Sequence, residues 1–193
     1  MTLAEVLRAS SSELARQLAG FALVGGLAVS ARTEPRFTRD IDLAVAVADD
    51  HDAERRVREM VAAGFSVDSA VEQTATGRLA TVRLRPPGRP GSIVDLLFAS
   101  SGIEPEIVAR AESIEVLSGL TVPVARTGDL MALKLLARDD AERPQDALDL
   151  HALVQVAQEE DWGLARSACQ EITDRGFNRE RDLLRALDNL TGR

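Results

Sequence analysis

The stretch Asp40-Ile41-Asp42-Leu43-Ala44-Val45-Ala46-Val47 constrains the fold most, because its apolar residues alternate with two acids at a period of two. That period belongs to a β-strand, so Ile41, Leu43, Val45 and Val47 enter a core while Asp40 and Asp42 share the opposite face. Two carboxylates converging on one face form a cradle for a hard divalent cation. Mg²⁺ is held by one or two carboxylates and keeps waters and phosphate oxygens as its other ligands. A third acid, Asp95, lies inside the apolar run Ser92 to Ala99. An unpartnered carboxylate in such a strand costs several kcal/mol, of order 2–7 for a polar group and more for a charge, so a cation or metal is expected beside it.

Upstream, the apolar strand Phe21 to Val24 runs into Gly25-Gly26 and then into LAVSAR, which reads as a short helix. Backbone N–H groups at a glycine turn opening a helix form an anion site. A glycine pair alone is an ordinary turn and a DxD pair alone an ordinary strand face. Their order along the chain points to phosphate and metal chemistry. The remaining pattern predicts a helix over 3–19 with a break near Ser10 to Ser12, and a helix from about His51 to Ala63 stopped by Gly64. Strands are expected near 65–68, 78–85, 92–98 and 120–124, a helix near 104–111, and helices over 127–139, 144–159, 161–175 and 178–190.

This is an α+β fold, a mixed sheet with flanking helices over residues 1–125, followed by a helical lobe over 126–193 with a linker near Ala125 to Gly128. The chain has 193 residues and is 45% hydrophobic, enough for one domain or two lobes sharing a core. One cysteine, Cys169, and two distant histidines cannot build a four-ligand zinc site. The N-terminal segment lacks the pattern of a signal peptide and no apolar run reaches the length of a membrane span. A cytoplasmic protein with no membrane partner is expected.

The assembly Val24-Gly25-Gly26, Arg39-Asp40-Ile41-Asp42-Leu43 and Val94-Asp95-Leu96 resembles the signature of the DNA polymerase beta superfamily of nucleotidyltransferases. Residues 130–150, LMALKLLARDDAERPQDALDL, look like the AbiEii/AbiGii toxin family, which includes MenT-like toxins and carries a helical lysine followed by a helix with paired aspartates. The resemblance implies a polymerase beta-like fold and a Mg²⁺-dependent toxin of a toxin–antitoxin pair. It would transfer a nucleoside monophosphate from an NTP to RNA, at the 3′ end of tRNA, with a cognate antitoxin protein as partner. Asp40, Asp42 and Asp95 would be metal ligands, with two ions possible, and Asp95 could instead serve as base. Gly25, Gly26, Thr38, Arg39, Lys134 and Asp146 would hold the nucleotide, and Asp149 would orient Lys134 or bind the nucleotide. Ala141 departs from the family pattern, where a basic residue is expected; Arg138 or Arg143 could substitute.

Physically, Lys134 stands in an apolar helix, where its stem packs while the ammonium reaches out to neutralise a pyrophosphate leaving group. Asp146 falls in the first turn of a helix opened by Pro144, where dipole compensation alone would also explain it. Arg78, Arg83, Arg85 and Arg89 form a positive island with no acid between Thr74 and Val94, and Arg32, Arg36 and Arg39 form a second cluster. Both suit a phosphate backbone. The net charge of −8 and an aromatic content of 3% work against a broad nucleic-acid surface. Two other readings stay open: transfer to a small hydroxylated acceptor of the aminoglycoside kind, and a nucleotide-binding relative without turnover.

Overall fold

The computed structural model describes residues 2–88, 91–138 and 144–190. Arg89, Ala141 and Arg143 therefore lie outside the described residues. Helix α1 (Leu3–Arg16) opens on a capping box, in which the Thr2 hydroxyl accepts from the Glu5 amide and the Glu5 carboxylate accepts from the Thr2 amide. No break occurs at Ser10 to Ser12. The hydroxyl of Ser10 donates back to the Val6 carbonyl at 2.8 Å and that of Ser11 to Arg8, so both polar groups are satisfied within the helix.

The strands are β1 (Phe21–Val24), β2 (Asp40–Val45), β3 (Ser66–Glu72), β4 (Leu79–Arg85), β5 (Ile93–Leu97), β6 (Glu112–Leu117) and β7 (Leu120–Val124). They form one mixed sheet in the order β3-β4-β5-β2-β1-β7-β6. The hydrophobic strands β1, β2 and β5 occupy its centre, and the fully exposed β3 forms one edge. Strand β6 did not announce itself in sequence, because ESIEVL is an edge strand whose residues are all exposed or half-buried. Strand β3 is longer than the expected 65–68 for the same reason.

Helices α2 (Gly25–Arg32), α3 (Asp50–Ala62) and α4 (Glu104–Arg110) alternate with strands, and α5 (Thr127–Ala137), α6 (Pro144–Val156), α7 (Glu159–Asp174) and α8 (Leu183–Leu190) follow them. Gly64 takes the left-handed conformation, φ +96°, expected just beyond a helix end. The junction before α5 is buried: the Ala125 amide donates to the Leu23 carbonyl of β1, and a Cβ on Gly128 would stand 2.4 Å from the Asp161 carbonyl of α7. One continuous hydrophobic cluster extends from Val6 through the sheet to Leu187. The late helices thereby close over the end of the sheet at which β1 gives way to α2.

Candidate active site

Strand pairing lines up the acids. Val24 opposes Asp42 across the antiparallel β1–β2 pair, Asp42 stands beside Asp95 across the parallel β2–β5 pair, and Asp95 opposes Arg83 across β4–β5. A single rung of the sheet thus carries Asp42, Asp95 and Arg83. Asp40 precedes Asp42 by one period on the same face, with Ile41 and Leu43 wholly buried opposite.

Arg83 grips Asp95 with two parallel hydrogen bonds, Nε to Oδ1 at 2.9 Å and Nη2 to Oδ2 at 2.8 Å. Its guanidinium is driven well above the usual arginine range by the bond to Asp95, against the opposing effect of burial, with Asp95, Asp40 and Asp42 adding their charges. The cation demanded by an acid in an apolar strand is therefore supplied by the protein. Arg85 pairs with Asp68 at 2.7 Å and Arg78 with Asp50 at 3.2 Å. Arg78, Arg83 and Arg85 of the hairpin island are thus matched by acids from outside it, which local sequence composition does not reveal.

Helix α2 starts immediately after β1, with no side chain capping its first amides. Gly25 has φ +66°, and a Cβ there would lie 2.0 Å from Asp42 Oδ2. A Cβ on Gly26 would lie 2.5 Å from Arg36 Nη2 and 3.4 Å from Thr38 Oγ1. The absence of side chains lets an acid press on one glycine and a cation on the next.

That cation belongs to a buried network. Arg36 donates to Asp149 through Nε and Nη2, both at 2.6 Å, and Lys134 Nζ lies 2.7 Å from both Asp149 Oδ2 and Asp146 Oδ1. Gln145 Nε2 completes the set at 3.2 Å from Asp149. Burial alone would raise Asp149, but Arg36 and Lys134 outweigh it and hold the carboxyl below its ordinary value. Asp149 is thus the joint between Arg36 and Lys134, a partner no motif could name because Arg36 lies 113 residues away.

One cavity of about 1300 Å³ takes in Gly25, Gly26, Arg36, Thr38, Asp40, Asp42, Asp95, Arg83, Lys134 and Asp146. Arg39, expected on the nucleotide, instead lines a second cavity of about 470 Å³ that shares Arg36 and Thr38 with the first. The sequence did not disclose the far wall, made by Ser100 and Ser101 after β5 and by the turn Gly176 to Glu180 before α8. There Arg179 and Glu180 hold φ values of +53° and +60°, and Arg179 reaches the Ser100 carbonyl at 3.3 Å. Consecutive left-handed non-glycine residues on a cavity wall mark stored backbone strain. Buried Cys169 has its thiol pushed up to about 12 by burial, which suits a packed residue rather than a nucleophile.

The sequence model described as "Nucleotidyl transferase AbiEii toxin, Type IV TA system" matches residues 6–190. The chain belongs to the AbiEii nucleotidyltransferase toxin family. A search of curated proteins finds no match. Among solved structures, an antigenic nucleotidyltransferase-like protein from Paracoccidioides brasiliensis is 18% identical with a TM-score of 0.56, covering 96% of this chain and 92% of its own. The antibiotic-resistance factor ANT(2″)-Ia is 14% identical with a TM-score of 0.59, covering 98% and 96%. The lincosamide antibiotic adenylyltransferase LnuA, solved with lincomycin bound, is 12% identical with a TM-score of 0.50, covering 81% and 99%. At these identities the likeness establishes the fold: this AbiEii member has the α+β nucleotidyltransferase architecture. Among its described residues, no helix is long and apolar enough to cross a membrane.

Proposed function

We propose that the chain transfers a nucleoside monophosphate from an NTP to the 3′-terminal hydroxyl of an RNA of the tRNA class, releasing pyrophosphate, as the cytoplasmic toxin of a toxin–antitoxin pair. The observation that carries the reading is the convergence of Asp40, Asp42 and Asp95 with the uncapped start of α2 in one cavity. Among the described residues no three acidic, histidine or cysteine side chains stand as a ready metal cage. The donor set nevertheless fits Mg²⁺. Asp40 and Asp42 offer hard oxygens on one face, Gly25 leaves room against Asp42, and substrate phosphates are the usual remaining ligands. Bound there, one or two ions would supply Lewis acidity at the α-phosphoryl group.

The chain's own residues do the rest. The first amides of α2, at Gly25 and Gly26, face the triphosphate, with Thr38 beside them. Asp95, fixed by Arg83, takes the proton of the acceptor hydroxyl or completes the metal site. The acceptor oxygen bonds to the α-phosphorus as the bond to the bridging oxygen breaks in line. Arg36 and Lys134, held by Asp149 and Asp146, neutralise charge gathering on the departing pyrophosphate.

The neutralised hairpin arginines favour a second reading, a small hydroxylated acceptor such as an aminoglycoside, which an acidic protein attracts. Incubating the protein with labelled NTPs, Mg²⁺, total RNA and an aminoglycoside panel separates the two. Label entering RNA, and lost on chelation, is expected. Label confined to the small acceptors would overturn the RNA reading.

A further inference from the structure

The loop between α2 and β2 carries a pair that the transfer chemistry leaves unused. Phe37 is 79% exposed, and the Arg39 guanidinium lies 5.4 Å from the centre of its ring. The neighbouring cations are committed, Arg32 at the end of α2 to Glu112 and Arg36 to Asp149. Among the described residues Arg39 has no hydrogen bond or carboxylate partner, and its ring contact is Phe37. A guanidinium stacked on an aromatic face keeps its N–H donors at the edge, where a phosphate can take them. The pair lines the smaller cavity, walled also by Leu27, Ala31 and Pro35, and Arg36 and Thr38 line both this cavity and the main one.

We propose that Phe37 and Arg39 form a platform on which a base of the RNA acceptor stacks, with Arg39 on its phosphate, one or two nucleotides from the reacting hydroxyl. This rests on the RNA reading proposed above. Phe37 precedes Asp40 by three positions, so their Cα atoms stand at most about 10 Å apart and the platform is close along the chain to the acids on which transfer depends. Stacking on an exposed ring is sequence-tolerant because every base has a π-face, and a guanidinium plane stacks on bases as well. The cavity of about 470 Å³ has room for a base and its ribose. A cationic small acceptor would instead be repelled by Arg39.

The experiment uses the full chain and single-stranded RNA oligonucleotides with a free 3′-hydroxyl and 2-aminopurine near that end. The wild type should quench the probe. Phe37→Ala should lose the quenching and raise the RNA KM roughly tenfold or more, well beyond any change in NTP KM. Phe37→Tyr should restore both, and Arg39→Gln should lessen the salt slope of RNA binding by about 0.7. Thermal melting checks that the variants fold, which the exposure of Phe37 favours. Unchanged quenching and RNA KM in Phe37→Ala, with wild-type RNA transfer intact, would overturn the platform alone. Transfer by the wild type to aminoglycosides and to no RNA would overturn the acceptor reading and the platform with it. Loss of binding to a protein antitoxin, with RNA KM unmoved, would make the loop a protein-docking surface and likewise overturn the proposal.

Discussion

Asp42 links two parts of the proposed site, since its carboxylate lies against Gly25 and it neighbours Asp95 across the strand pair. Asp42→Asn keeps its shape and removes its charge. Transfer should fall by roughly 100-fold or more, an effect of the size seen when one charge-stabilising group is lost, while the melting temperature moves only a few degrees; nucleotide incorporation and thermal melting measure the two. Lys134 is different. Removing it takes a buried cation from Asp146 and Asp149, although Arg36 and Gln145 still hold Asp149, so Lys134→Ala should cost about 3 kcal/mol and lower the melting temperature by roughly 6–12 °C besides slowing transfer. Asp149 supplies a pH signature. Its folded value lies below the ordinary 3.8, so its contribution to stability is full above that value and is lost as pH falls through the folded one. The melting advantage of wild type over Asp149→Asn should hold from pH 7 to about 5 and shrink below about 4.

The turn from β1 into α2 concentrates the fold's steric demands. Gly25→Ala would place a methyl group against the Asp42 carboxylate at a φ of +66°, a conformation that costs an L-residue about 1–2 kcal/mol. Transfer should therefore fall further than stability, a difference read by comparing incorporation with denaturant midpoints. These elements were legible in sequence because β1, β2 and β5 are central strands whose apolar residues carry the pattern. The turn Gly176 to Glu180 was not. Residues from 178 continue a helical pattern, yet α8 begins only at Leu183, because Arg179 and Glu180 adopt left-handed backbone and the Asn178 side chain donates to the Arg181 carbonyl. Strand β6 likewise lacks the buried face that would have disclosed it.

At the scale of the whole molecule, helix α3 pairs its charges within a turn, whereas the charges around the site are paired across the fold. Composition exposed the surplus of acid but not that Asp95, Asp68 and Asp50 would take three arginines of the hairpin. Pairing leaves few cations for a phosphate backbone. Binding of RNA should accordingly show a shallow salt dependence, with a slope no steeper than about −2, and Arg85→Ala should change it by less than one phosphate contact's worth, about 0.7. A salt titration of wild type and variant measures both. The Asp–Gly–Asp framework was readable because it lies on consecutive central strands, whereas the Arg36–Asp149 joint exists only after the late helices fold back.

That joint also sets a clock. Arg36 leaves the ribosome 113 residues before Asp149, an interval of about 6–23 s at ordinary rates of synthesis. Within it the strands bearing Asp40, Asp42 and Asp95 are made and then Lys134, but until it ends Arg36 has no Asp149 to hold it. On the proposed mechanism, a nascent chain should stay without transfer activity until its last quarter emerges and Asp149 can hold Arg36 and Lys134.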